Sequence, residues 1–422
     1  MKKSSFIFFS AMGLVPIGLI NYANLNPFTV IVFLIYALNL PYVFRTSFSN
    51  GVKANGASRI TLLIVVTLVV SYASMVINRG KYTDWSVLYC LDYFLFWVIL
   101  REIKSFDDID QLMRDLSIFV IIAIVWLIFF FINPSVLTST FSDIRMGSFR
   151  GDSAGLNRIF TPGMDYIAYT MVYLLCYLLV GTPKNKTRLV LFFLACLGCV
   201  VIITSTRTHL VALIITVVII TLLKFKQLKL LRLLYIPIVA MVIYFALPSS
   251  TQNYIDNRVN PLFNVYNIQL SNALSGSIDY GGADVDSFGT VYWRLMEIPF
   301  VTTLIQEPHE ILLGKIGYLY DFMGATEMPM PHTNFLAFYY LFGLLGVITF
   351  GIFIIYFTIK FVKVNLMYRG HPKQYLAVFA LCAWANIMLL NGAAFYSPIV
   401  IGSCSLIVIL ERLILNDQTL LK

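Results

Sequence analysis

Met328-Pro329-Met330-Pro331-His332-Thr333-Asn334-Phe335-Leu336, running on to Gly343-Leu344-Leu345-Gly346, closes the longest polar segment of the chain and opens one of its last apolar runs. A histidine at that seam has an apolar helix on one side and water on the other. A charged group there is only partly desolvated, and this is where a site for a half-lipid, half-polar substrate belongs. From His332 to Lys360 is 29 residues, about 43 Å of helix at 1.5 Å per residue. That exceeds the ~30 Å of bilayer hydrocarbon. The first turns must therefore project beyond it, or the helix must bend at Gly343/Gly346.

The rest of the composition agrees with a membrane setting. The 422 residues are 59% apolar and 12% charged, with a mean hydropathy of +0.82, whereas soluble domains run about 45–50% apolar and about 25% charged. With about 20 residues per crossing, apolar spans are expected at 5–22, 27–44, 60–78, 86–100, 117–133, 165–181, 188–204, 207–223, 231–247, 333–360, 375–391 and 395–412. The expected fold is an all-α polytopic membrane protein of about twelve transmembrane helices. Residues 1–247 carry nine of them, 248–331 form a large extracytoplasmic loop, and 332–422 carry the last three, in one integrated membrane domain. No cleavage site follows the first apolar run, so Ser5–Ile20 reads as a retained signal-anchor.

Orientation follows from Lys and Arg, which accumulate on the cytoplasmic side. With both termini inside, 21 of the 30 basic residues fall in cytoplasmic segments. The others are Arg79, Lys81, Arg145, Arg150, Arg158, Arg207, Arg258, Arg294 and Lys315. The net charge of +9 is thus a topogenic signal with some attraction to anionic headgroups, and it calls for no nucleic-acid partner. All six cysteines lie in apolar spans, so there is no disulfide framework. Cys196 and Cys199 sit mid-helix and read as small hydrophobes.

Two outer segments stand apart. Residues 133–165 hold Arg145, Arg150 and Arg158 among Gly, Ser and Asp. Residues 248–331 are far longer than an ordinary connection. Their middle, 271–290, reads as mobile, and 290–306 as an apolar helix lying in or dipping into the outer interface. Within and around them are the ionisable groups of interest. Arg207 stands in Thr204-Ser205-Thr206-Arg207-Thr208-His209, at a tight outer turn between two spans. Alone it also suits a snorkelling anchor. Arg294 follows Tyr292-Trp293 and also suits an i,i+3 ion pair with Glu297. Gly314-Lys315-Ile316-Gly317 comes about twenty residues later.

In this order, these features resemble the bacterial O-antigen ligase and O-antigen/capsule repeat-unit polymerase superfamily. The His332 motif resembles the start of a late transmembrane helix in that family, with Thr333 where Asn, Ser or Gln is usual and Asn334 one place on. The Ser/Thr-x-Arg turn at Arg207, an Arg opening an amphipathic helix at Arg294, and a Gly-x-Gly-type turn complete the likeness. Here that turn is one residue wider. The resemblance covers roughly residues 190–412; the first five spans match only in hydropathy.

What it implies is a membrane glycosyltransferase of GT-C-like architecture in the bacterial cytoplasmic membrane, with its active site on the extracytoplasmic side. The donor is an undecaprenyl-pyrophosphate-linked glycan, the acceptor is lipid-linked, and the transfer is inverting and needs no metal or other cofactor. A chain-length regulator is a further partner it admits. Arg207 and Arg294 would neutralise charge developing on the pyrophosphate, since guanidinium groups clamp phosphate bidentately and stay protonated. His332 would orient or deprotonate the acceptor hydroxyl. Arg258, Arg145, Arg150, Arg158 and Asn334 are expected to hold the lipid phosphate or the glycan. Repeat-unit polymerisation is favoured over ligation to lipid A-core because the residue after His332 is not the ligase-typical one. A flippase or transporter of the same lipid is the alternative of another class. It predicts ionisable residues deep in the spans, which are here nearly uncharged in their middles. Asp284-Val285-Asp286, a metal–nucleotide pattern, would lie on a face where nucleotide sugars are not supplied.

Overall fold

The computed structural model describes residues 27–48, 55–79, 93–133, 149–151, 157–159, 164–200, 207–224, 252, 301, 304–315, 320–322, 325–328, 334–390 and 398–420. They are mostly helical: α1 Pro27–Phe48, α2 Asn55–Arg79, α3 Phe94–Glu102, α4 Phe106–Ile132, α5 Met164–Val180, α6 Lys186–Gly198, α7 Arg207–Lys224, α8 Pro308–Leu313, α9 Asn334–Met367, α10 Gln374–Leu390 and α11 Pro398–Leu420. Two short antiparallel hairpins accompany them, β1 Phe149–Gly151 with β2 Asn157–Ile159, and β3 Tyr320–Phe322 with β4 Ala325–Met328. Strands of three or four residues leave no periodicity to read, and neither hairpin was expected.

Four of the described helices contain stretches long and apolar enough to cross a membrane: Gly56–Ser74, Phe106–Phe129, Leu336–Met367 and Ile399–Asn416. The chain is a membrane protein. Expected spans 5–22 and 231–247, and the stretch 271–290, lie outside the described residues; the described parts of the other expected spans are helical.

The exposure pattern of α9 shows why a bilayer is the fitting solvent. Leu344, Ile348, Ile352, Ile355, Ile359, Val362 and Leu366 recur every three or four residues and are exposed. Phe350, Phe353, Phe357, Phe361, Val364 and Tyr368 recur the same way and are buried. A helix apolar on both faces, with one face open, packs protein on one side and lipid on the other. The buried face meets α3, whose six consecutive residues Leu95–Leu100 are all buried. Phe96 lies edge-on to Phe357 at 6.3 Å and Tyr93 edge-on to Phe353 at 6.3 Å. α3 packs also on α1 and α11, and Trp97 Nε1 donates to Ser58 Oγ of α2 at 2.6 Å. That hydroxyl also shares protons with Thr46 and Ser47 of α1. These polar groups are thus satisfied between helices, as hydrocarbon requires.

The basic residues assign the ends. Lys360 and Lys363 of α9 pair with Glu411 of α11. Arg412 Nη2 donates to Ile103 O at 2.5 Å, Arg101 Nη1 to Asn39 Oδ1 at 3.0 Å, and Arg59 Nε to Ser47 O at 2.9 Å. Lys373, before α10, pairs with Asp110 in the second turn of α4 at 2.9 Å. Residues assigned by sequence to one side of the membrane therefore gather at one end of the bundle. α4 starts there from a reciprocal cap, Ser105 with Asp108. The acidic stretch after Lys104 is the opening of a continuous apolar helix.

Candidate functional site

The opposite end is built around two glycines. α9 bends at Gly343, with φ 61° and ψ −158°. α8 ends at Gly314, with φ 79° and ψ −170°. Both occupy a region of backbone space that is essentially reserved to glycine. They also face each other's helix backbone. A Cβ on Gly343 would stand 2.4 Å from Leu312 C, and one on Gly314 would stand 2.3 Å from Leu341 C and Phe342 N. The bend opens the groove that α8 fills, and the absent side chains let the main chains touch. Lys315 N then donates to Tyr340 O at 2.6 Å.

A charge pair pins the turn. Glu310 is buried and lies 3.2 Å from the Lys315 ammonium. Lys315 Nζ also donates to Leu304 O, and Glu310 Oε2 accepts from the Gln306 and Glu307 amides at 3.4 and 3.5 Å. Ahead of it Val301 and Ile305 are buried in the main core. The described end of the segment expected at the interface is therefore packed into the bundle. Glu310 was missed from sequence. Its signal was Glu307-Pro308-His309-Glu310, a proline at the first helical position inside a reciprocal cap.

The expected site residues distribute as follows. Asn334 is the first residue of α9, six positions before the carbonyl that receives Lys315, about 9 Å along the axis. Arg207 is the first residue of α7. Thr216 of α7 meets Asn386 of α10 at 3.1 Å, while Ile220 shares a buried cluster with Val378 and Cys382. α7 therefore runs antiparallel to α10, and since α10 begins at the basic end, Arg207 lies at the opposite end, that of Gly343. The β1–β2 hairpin sits there too. It precedes α5, whose other end reaches the start of α10 through Tyr177 and Tyr375 at 4.5 Å, and β2 packs on α4. In that hairpin Arg150 and Arg158 are register partners.

One end of the bundle thus collects Arg207, the Arg150–Arg158 pair, Asn334 and the Gly314–Lys315 turn. His332, Arg294, Arg258 and Arg145 lie outside the described residues. Among the described residues no three His, Cys, Asp or Glu side chains gather to hold a metal. Searched against family models and against curated proteins, the chain matches none; the family likeness rests on its motifs alone.

Proposed function

We propose that the chain is a membrane-integral glycosyltransferase that polymerises undecaprenyl-pyrophosphate-linked repeat units on the outer face of the bacterial cytoplasmic membrane. The observation that carries this reading is the docking of Gly314–Lys315 onto the bend at Gly343. Two motifs separated by about thirty residues of sequence meet backbone to backbone, as parts of one site do. The bend fixes the first limb of α9, which begins two residues after His332. The arginine register supports the same reading. Like charges directly opposite across a ribbon are unfavourable, and an anion between them reverses the sign. A pyrophosphate at headgroup level is such an anion. Arg207 and Arg294 act on the leaving pyrophosphate, Arg150 and Arg158 on the charged part of the donor or acceptor, and His332 on the acceptor hydroxyl.

The test uses purified full-length protein in nanodiscs, given lipid-linked repeat units alone and then with lipid A-core, as wild type and Arg294→Ala. Polymer from repeat units alone, lost in the variant, supports the proposal. Product only when lipid A-core is present assigns the ligase reaction instead. No glycosidic bond with either acceptor, alongside movement of the donor across the bilayer, assigns transport.

A further inference from the structure

The basic end holds a second arrangement, which the glycosyl transfer does not use. Arg101 and Lys104 close α3, Arg45 closes α1, and Arg412 arrives from α11. Three of the four heads are held by oxygens at this end. Lys104 Nζ donates to Leu100 O at 3.1 Å, and Arg412 Nη2 to Ile103 O at 2.5 Å. Those carbonyls are less than one helical turn apart. Arg101 is braced by Asn39, and Lys104 Nζ stands 6.0 Å over the Tyr42 ring. Arg412, Arg101 and Arg45 are all within electrostatic reach of the Tyr42 hydroxyl. The acidic groups of the same segments are Glu102, Asp107, Asp108, Asp110 and Glu411; Asp108 Oδ2 is taken up by the amides of Lys104 and Ser105 and by the Ser105 hydroxyl, Asp110 by Lys373, and Glu411 by Lys360 and Lys363.

The helix C-terminus of α3 accounts for one or two cations, not for four. Burial, then the charges of Arg412 and Arg101, pull the Lys104 pKa below the usual lysine value, with Asp108 opposing. Topogenic lysines and arginines need only be on the correct side of the membrane. They need not be held, from residues 101, 104 and 412, at the end of one helix. Guanidinium groups carry five donors each, and those of Arg101 and Arg412 retain donors beyond the bonds that hold them. We infer that Arg45, Arg101, Lys104 and Arg412 form a binding site for a phosphate group, carried either by an anionic lipid or by a soluble molecule.

The experiment uses the full-length protein in two kinds of nanodisc. In phosphatidylcholine discs, inorganic phosphate binding is followed by phosphorus NMR. In discs containing phosphatidylglycerol, lipid retained after transfer to mild detergent is counted by native mass spectrometry. Wild type is compared with Arg101→Gln/Arg412→Gln, with Arg45→Gln, whose exposed side chain leaves folding intact, and with Lys363→Gln, an exposed lysine at the same end. Affinity should fall about fivefold for each cluster charge removed and stay unchanged in Lys363→Gln. Binding of phosphate in the first disc identifies a soluble ligand; retention of phosphatidylglycerol without it identifies a lipid. Equal losses in Arg45→Gln and Lys363→Gln, or no binding in either disc, overturn the inference.

Discussion

Gly343→Ala tests the junction on which the functional reading depends. Its backbone, at φ 61° and ψ −158°, costs a residue with a Cβ about 1–3 kcal/mol. The new methyl would stand 2.4 Å from Leu312 C and 2.6 Å from Ile311 O. Those are main-chain atoms that cannot rotate aside, and crowding of this kind adds about 1–3 kcal/mol. The sum, about 2–6 kcal/mol, falls on the docking of α8, because the rest of α9 is held independently by its Phe face. At about 1.4 kcal/mol per tenfold, the undocked population rises between about thirtyfold and about ten-thousandfold. Hydrogen–deuterium exchange in nanodiscs reads this directly as faster exchange over 304–315 and 336–346, with peptides from α3 and α11 unchanged. Polymerisation should be lost in parallel. Gly351→Ala is the control, since a Cβ there meets nothing within 4 Å and alanine favours helix. Wild-type exchange in Gly343→Ala, or an equal change in Gly351→Ala, would refute the account of the bend.

Three further outcomes follow from the same geometry. Glu310→Gln leaves the Lys315 ammonium without its carboxylate and should lower the melting temperature in detergent by an amount equivalent to about 3 kcal/mol; adding Lys315→Met should recover part of it, which a double-mutant cycle measures. Burial opposes the charge on Lys373, but its hydrogen bond to Asp110 and the charges of Tyr375 and Asp110 overcome this and raise its pKa above 10.5. The tie between α4 and α10 therefore contributes fully below pH 10.5 and is lost as pH rises through the higher folded value; the stability gap between wild type and Asp110→Asn should be constant to about pH 10 and close above it. Arg150→Ala should relieve about 0.2–1 kcal/mol of cross-strand repulsion and yet raise the KM for the lipid-linked donor; an unchanged KM would remove the hairpin from the site.

The positions of the described helices were legible because hydrocarbon imposes its length on apolar runs. The bend was legible for the same reason: a run too long for the bilayer, with Gly343 and Gly346 inside it, has few ways to fit. What escaped were local and long-range polar arrangements. Glu310 sits in a polar stretch and carries no mark of burial until Lys315 is placed beside it. Asp110 and Lys373 are 263 residues apart in sequence, and no spacing connects them. The candidate site was read as three motifs in order, and Arg294 and His332 of two of them lie outside the described residues. The structure adds that the Gly314–Lys315 turn and the Gly343 bend are one contact, and that Arg150 and Arg158, eight positions apart, stand opposite each other.

The bend and the Lys360–Glu411 tie together make the lower limb of α9 a ruler. Seventeen residues separate Gly343 from Lys360, about 26 Å of helix, close to the ~30 Å of hydrocarbon in an average bilayer. One end is anchored by charge, so the thickness of the membrane decides whether the other end surfaces among the headgroups or sinks beneath them. Mismatch costs only fractions of a kcal/mol per ångström, too little to unfold the protein but enough to change the depth of its bent end. The proposed transfer should then depend on acyl-chain length and run fastest in a bilayer whose thickness matches that limb.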